Sequence, residues 1–438
     1  MEKERLEFLQ IHPKDNVLVA LRDLPAGYKL NFQGKEIILK RAVNAKHKFS
    51  IDALQKDAEI YMYGVLVGKV NEDLDSGELL DVDNLRHAAE DFKLGDRKLD
   101  WVQPDVSAFN KRTFKGFHRS NGTVGTANYW LVIPLVFCEN RNVLTLKSAL
   151  EEKLGYQVES KDYSDEVDEL INRYKSGASI DDLMSVDLSS ARADKGKKRL
   201  FPNVDGVKFL NHDMGCGGTR MDSDALCGLL AGYITHPNVA GATVLSLGCQ
   251  HAQASILKAE IAKRDPHFNK PLFVFEQQFE GTEQELMQKA IKSTFTGLVE
   301  ANKLERQEAG LDKLCIGLEC GGSDGFSGIS ANPTLGYLSD MMVSMGGSVI
   351  LSEFPELCGV EQELSDRCVD EPTAEKFIHL MRTYNAKAEA DRSGFYMNPS
   401  PGNIRDGLIT DAIKSAGAAK KGGTSPVAAG GDYPEGAT

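Results

Sequence analysis

Six short apolar runs, each ending in polar residues of catalytic type, constrain this chain more than any other feature. The run 243–247 (TVLSL) leads into Gly248-Cys249-Gln250-His251, and the run 314–318 (LCIGL) into Glu319-Cys320-Gly321-Gly322-Ser323-Asp324. The run 207–210 precedes Asn211-His212-Asp213-Met214-Gly215-Cys216, and the run 130–137 precedes Cys138-Glu139-Asn140. The runs 272–275 and 348–351 end before Glu276 and before Ser352-Glu353. β-Branched runs without alternation predict strands buried on both faces, as in a parallel sheet. Helical patterning over 254–263 and 283–303 lies between runs, so the chain reads as α/β with largely parallel sheets. In open α/β sheets ligands bind beyond the carboxyl ends of the strands. The Cys, His, Glu and Asn at these ends are therefore expected to form one site assembled from many loops.

The chain has 438 residues, enough for two or three domains. Its first part reads differently from the rest: short strand-like runs at 17–21, 36–39 and 60–67 are separated by Pro25-Ala26-Gly27, Gln33-Gly34 and Asp75-Ser76-Gly77 turns. The expected division is a small, mostly β domain over 1–92, a linker over 93–110, a second domain over 111–250 and a C-terminal α/β domain over 251–438. Val167, Leu170, Ile171 and Tyr174 fall on one helix face, with Ser164 placed to cap it. The basic run 192–199 is a solvated loop that could draw in an anionic substrate. The tail from 415, rich in Gly and Ala, reads as flexible.

A net charge of −13 argues against nonspecific nucleic-acid binding. No apolar stretch reaches the ~20 residues of a membrane span, and no apolar segment of a secretory signal is visible. A soluble cytoplasmic protein is expected, and a homo-oligomer. The eight Cys are scattered, so a disulfide framework is not expected.

Cys216, Cys249 and Cys320 each open a Gly-containing or polar turn at a strand end. Thiolates ligate iron and zinc well, but small Cys also pack under tight Gly turns, and both readings stand. His212 and His251 lie beside two of these thiols and suit proton transfer. Glu319 and Asp324 join them as candidate catalytic residues, since carboxylates at strand ends can move protons or bind a cation. Arg119 and Arg220 are candidates to grip a substrate carboxylate with a bidentate fork; Asn140 and Ser323 complete the substrate-binding set. Taken singly, His12, Asp15 and His47 read as surface or capping residues. Brought across to the strand ends, His12 and His47 would join Cys216, Cys249 and Cys320 as metal ligands. No Gly-x-Gly-x-x-Gly follows a strand, which counts against a dinucleotide-binding oxidoreductase.

Longer stretches carry a resemblance. Residues 122–140, 211–218 (NHDMGCGG), 236–241, 247–250, 319–333 (ECGGSDGFSGISANP), 353–357 and 398–407, together with 12–17 and 23–27, resemble the altronate/galactarate dehydratase family of sugar-acid dehydratases. The likeness covers nearly the whole chain and sits closer to the altronate branch. It implies an N-terminal SAF-type β domain and loss of water from a 2,3-dihydroxy acid to give a 2-keto-3-deoxy acid; for altronate, 2-keto-3-deoxygluconate. Galactarate, another 2-hydroxy acid, or sugar-acid binding without turnover are the alternatives. The resemblance also implies a dissociable divalent metal, Fe2+ foremost and Mn2+ second, which favours a single ion over an iron–sulfur cluster on Cys216, Cys249 and Cys320. Asn121 stands where Asp is common in the family's loop. The family pattern continues past the Gly-Gly-Thr-Ser-Pro turn with a further strand-rich segment, so the chain ending at Thr438 is expected to be truncated.

Overall fold

Gln33-Gly34 and Tyr63-Gly64 each place two successive residues at positive φ, 52° and 85° in the first pair, 58° and 83° in the second. This is the geometry that closes a two-residue hairpin with the twist of its strands. In the computed structural model, which describes residues 6–156, 164–188, 199–319, 321 and 324–430, these turns organise the expected β module. Its main strands are β1 (Val17–Ala20), β2 (Lys48–Ser50), β3 (Glu59–Met62) and β4 (Val65–Val70), with β1 antiparallel to β2 and β3 to β4. Asp15 is buried and its carboxylate accepts the Tyr63 and Gly64 backbone N–H groups at 3.1 and 2.9 Å. It holds the second hairpin turn from inside rather than capping at the surface.

Contacts divide the chain into two units, Met1–Thr113 with Gly310–Thr438, and Phe114–Ala309. The second unit carries the parallel sheet. Its strands are β5 (Tyr129–Pro134), β6 (Gly206–Phe209), β7 (Val239–Ser246) and β8 (Leu272–Glu276), in spatial order β6-β5-β7-β8 and all parallel. Four helices cover it: α1 (Asn140–Leu154), α2 (Arg220–Thr235), α3 (Ala254–Arg264) and α4 (Glu283–Ala301). Trp130 and Val132 of β5 pack into one core with Leu146 of α1 and Leu298 of α4; Leu131 and Ile133 pack into the other with Leu230 of α2 and Leu257 of α3. Successive strand residues point to opposite faces, so burial on both faces forces the unbroken apolar runs seen in the sequence. The Trp130 indole fills space left by two glycines: a Cβ on Gly297 or Gly241 would sit 2.1 or 2.5 Å from it. The expected boundary at 250 cuts through this unit, because β7 before it pairs with β8 after it.

In the first unit, β9 (Cys315–Leu318) and β10 (Ser348–Leu351) form a separate two-stranded parallel sheet. The six runs are thus strands, but of two sheets, four and two, not of one. Helices α5 (Ala331–Ser344), α6 (Glu371–Ala390) and α7 (Asp411–Ala419) complete the C-terminal part. The β module does not have a core to itself. Val67 and Val70 of β4 and Leu80 share one apolar cluster with Leu357, Ile409 and Ala412, Ile413 and Ala416 of α7. Nor is 93–110 a free tether: Lys98 N–H donates to the Asp366 carbonyl at 2.8 Å, its ammonium pairs with the Asp366 carboxylate at 2.6 Å, and Arg97 donates to the Ser365 carbonyl at 2.7 Å.

The helix expected from 164 spans Ser164–Lys175, yet Val167, Ile171 and Tyr174 of its apolar face are exposed. The tail expected to be flexible from 415 instead begins inside α7, where Ser415, Ala416 and Ala418 are buried, and Lys421 and Ser425 beyond it are buried too; the basic residues 192–198 and the tail beyond 430 lie outside the described residues. Among the described residues no helix is long and apolar enough to cross a membrane.

Candidate functional site

The carboxyl edge of the four-stranded sheet is built by three loops that bind one another through their backbones. Phe137 N–H, after β5, donates to the Met214 carbonyl, after β6, at 2.9 Å; Leu135 N–H donates to the Leu245 carbonyl at the end of β7 at 2.8 Å. Asn140 starts α1, and its amide nitrogen donates to the His212 carbonyl at 2.9 Å; its Oδ1 is buried with no hydrogen-bond partner among the described residues. Glu139 is buried and accepts from the Asn142 amide at 2.8 Å; burial raises its carboxyl above the usual range.

His212 has both ring nitrogens engaged. Nδ1 accepts from the Met214 N–H at 3.2 Å, which leaves Nε2 to donate to the Pro134 carbonyl at 2.9 Å. It is a clamp between two strand-end loops, with no lone pair left for a metal. His251 is exposed in the loop after β7. That loop is knit by Gln250, a buried side chain the sequence reading passed over. Its Oε1 accepts from Gly248 N–H at 2.9 Å, and its Nε2 donates to Ser246 Oγ at 2.7 Å. Gly248 sits at φ 107°, a conformation that favours glycine, and a Cβ there would also meet the Gln278 side chain at 2.7 Å. The turn leaves Cys249 exposed, as are Cys216 and Cys138. Partial desolvation, then the neighbouring Cys249 thiol and, more weakly, that of Cys138, push the Cys216 thiol up. Of the expected thiol set, the structure therefore brings Cys216 to Cys249 and adds Cys138.

Arg220 opens α2 and is exposed, its helix start fixed by a reciprocal cap between Thr219 and Asp222. Arg119 is a different case and a correction. It lies before β5, at the amino edge of the sheet, where it donates to the Pro237 carbonyl at 2.7 Å and to Asn128 Oδ1 at 3.0 Å. Burial pulls its guanidinium down to about 10, still charged at neutral pH. Its donors hold the protein's own loops, and loops before the strands emerge at the edge opposite the strand ends.

The remaining candidates belong to the other unit. Glu319 is exposed directly after β9. Asp324 is half-buried and its Oδ1 accepts the Phe326 and Ser327 N–H groups at 2.6 and 3.1 Å, the pattern of a turn cap. Cys320 and Ser323 lie outside the described residues. His12 Nδ1 accepts the Lys14 N–H at 3.1 Å, and His47 Nδ1 lies 3.3 Å from the Ala45 carbonyl. Both rings serve local turns of the β module. Among the described residues no three His, Cys, Asp or Glu side chains are grouped so as to hold a metal ion.

Three family models match in series: the altronate/galactarate dehydratase SAF domain over 6–88, the D-galactarate dehydratase/altronate hydrolase second domain over 116–302, and the D-galactarate/altronate dehydratase C-terminal domain over 311–438. Altronate dehydratase of Bacillus subtilis (strain 168) is 32% identical over 420 residues, 96% of this chain and 74% of the relative. Altronate dehydratase of Escherichia coli (strain K12) is 29% identical over 96% of this chain and 75% of the relative. Galactarate dehydratase (L-threo-forming) of Escherichia coli (strain K12) is 29% identical over 195 residues, 44% of this chain and 37% of the relative.

Proposed function

Since these matches make the chain a member of the altronate/galactarate dehydratase family, we propose that this hydro-lyase acts on altronate and releases 2-keto-3-deoxygluconate and water. The observation that carries the choice of substrate is coverage: likeness to altronate dehydratases spans 96% of the chain, that to galactarate dehydratase 44%. A cytoplasmic homo-oligomer is part of the same proposal.

The chemistry removes the proton α to the carboxylate and expels the β-hydroxyl, and the resulting enol tautomerises to the ketone. The α-proton is weakly acidic, so a base, an acid for the departing hydroxide and donors for the enolised carboxylate are needed. His251, exposed after β7, is the base in this reading, and Arg220, exposed at the start of α2, the carboxylate grip. His212 acts as a positioning residue, locked to Pro134 and Met214.

Divalent iron, with manganese second, remains the proposed cofactor class. A single hard ion finds no ready set among the described residues: both His212 nitrogens are engaged, and no three ligating side chains are grouped around one point. No step is derived through it. The experiment is to measure 2-keto acid release from altronate, galactarate and glucarate, with and without added Fe2+ or Mn2+. Release from altronate in excess of the other two is the expected result. No keto acid from any of them, from folded and metal-loaded protein, would end the dehydratase reading.

A further inference from the structure

The C-terminal part of the first unit buries a group of acids that the dehydratase chemistry does not use. Asp411, the first residue of α7, is 1% exposed, and Glu361, at the start of the short helix Glu361–Asp366, is 4% exposed. Glu356 belongs to the 3-10 turn Phe354–Leu357 that follows β10. Lys414 supplies an ammonium: it pairs with Glu356 Oε1 at 2.9 Å and donates to Asn398 Oδ1 at 3.3 Å. The Asn398 amide in turn donates to Asp411 Oδ1 at 2.8 Å. Glu361 accepts the Gly359 N–H at 2.6 Å, and Gly359 is pressed onto α7, where a Cβ on it would stand 2.9 Å from that of Ala412. Asp411 Oδ2, Ser415 Oγ and Glu356 Oε2 are buried with no hydrogen-bond partner among the described residues. Asp411 and Ser415 are four apart on α7 and so share a helix face. A buried carboxylate oxygen without a donor is costly as an anion, whereas the protonated acid brings a donor of its own.

We propose that Asp411 is the proton switch of a latch that seats α7 against the β module. Protonated, it is neutral and donates from its second oxygen. Ionised, it adds a third carboxylate charge, beside Glu356 and Glu361, around the Lys414 ammonium. The latch itself is short. Thr410, the cap of α7, donates its hydroxyl to the Val67 carbonyl of β4 at 2.8 Å, and Ala412, Ile413 and Ala416 pack into one apolar cluster with Val67 and Val70. Loosening the first turn of α7 therefore loosens the seat of the module. Burial pushes the Asp411 carboxyl up to about 6; the Glu356 charge adds to this, and the Asn398 amide, the Cys358 thiol and the Lys414 ammonium oppose it. Burial also raises Glu361 and keeps the Cys358 thiol protonated. An acid whose folded value lies above its unfolded one contributes stability that is complete below the unfolded value and is lost as pH rises through the folded one. The latch thus loosens between about pH 5 and 7.

This inference goes beyond the dehydratase reading and is tested without turnover, so the two stand or fall separately. Hydrogen exchange of the full chain is followed by mass spectrometry at pH 5 and 7.5 and corrected for the intrinsic pH dependence of exchange, with circular dichroism to show folding. Protection of α7 should fall about tenfold between the two, with no matching fall in α4 of the other unit. Asp411→Asn keeps an oxygen for the Asn398 amide and brings a donor, so it should hold α7 at its pH 5 protection throughout. Glu356→Gln, which removes the facing charge, should move the fall to lower pH, and Lys414→Met should move it higher. Protection of α7 that does not change with pH, a fall that persists undiminished in Asp411→Asn, or a fall that Glu361→Gln alone abolishes would each overturn it.

Discussion

The two edges of the sheet β6-β5-β7-β8 are built from similar polar loops and do opposite work. At the amino edge, Asn128 is fully buried: its N–H donates to Asp205 at 2.7 Å, its amide to the Asn203 and Ala301 carbonyls at 2.9 and 3.0 Å, and its Oδ1 accepts from Arg119. Arg306 reaches the Thr126 carbonyl at 2.6 Å and pairs with Asp205 at 3.0 Å. Each of these donors finds an acceptor within the protein. At the carboxyl edge three thiols and His251 are exposed, and the buried Asn140 Oδ1 has no partner among the described residues. A satisfied edge holds the fold, and an unsatisfied one has capacity for a ligand.

The sharpest test of that contrast is His251→Ala. A general base contributes roughly 10²–10⁴-fold, so keto-acid release should fall by about that factor while the melting temperature stays put. A melting temperature that falls with activity would make the carboxyl edge structural as well. Asn128→Ala, at the other edge, should do the reverse. It strands two buried carbonyls and the Arg119 guanidinium, at about 3 kcal/mol in total, seen as a lower denaturant midpoint, with turnover per folded molecule unchanged. Arg119→Met should cost about 2 kcal/mol of stability for the same reason and leave KM for altronate alone. A raised KM in folded protein would return Arg119 to the substrate and break the comparison.

The smallest effect is a pH slope. Lys270, just before β8, donates to the Ile234, Thr235 and His236 carbonyls at the end of α2. Burial, then repulsion from Arg119, lowers its ammonium to about 7. A lysine whose folded value lies below its unfolded one contributes stability that is fully present above the unfolded value and is lost as pH falls through the folded one. Stability should therefore rise from pH 7 to 9. The carbonyls of the helix end favour the charged form, so the gain should stay under about 1 kcal/mol, and Lys270→Met should flatten it.

The six strands, the small β module and the family were legible in the sequence, because each rests on local pattern: unbroken β-branched runs, Gly at the turns, long motifs. Which strands share a sheet was not, since a run records that it is buried but not against what; hence the four-and-two division and the misplaced boundary at 250. The site followed the same rule. That Cys, His and carboxylates stand at strand ends is a matter of spacing. That Cys216 meets Cys249 and Cys138, that both His212 nitrogens are taken, and that Arg119 serves the opposite edge depend on strand order and on backbone groups that carry no side-chain signature. Residue type determined which groups could ligate or move a proton. Only the tertiary structure decided which still had a free lone pair or donor, because hydrogen bonds to carbonyls from distant parts of the chain had already claimed the others.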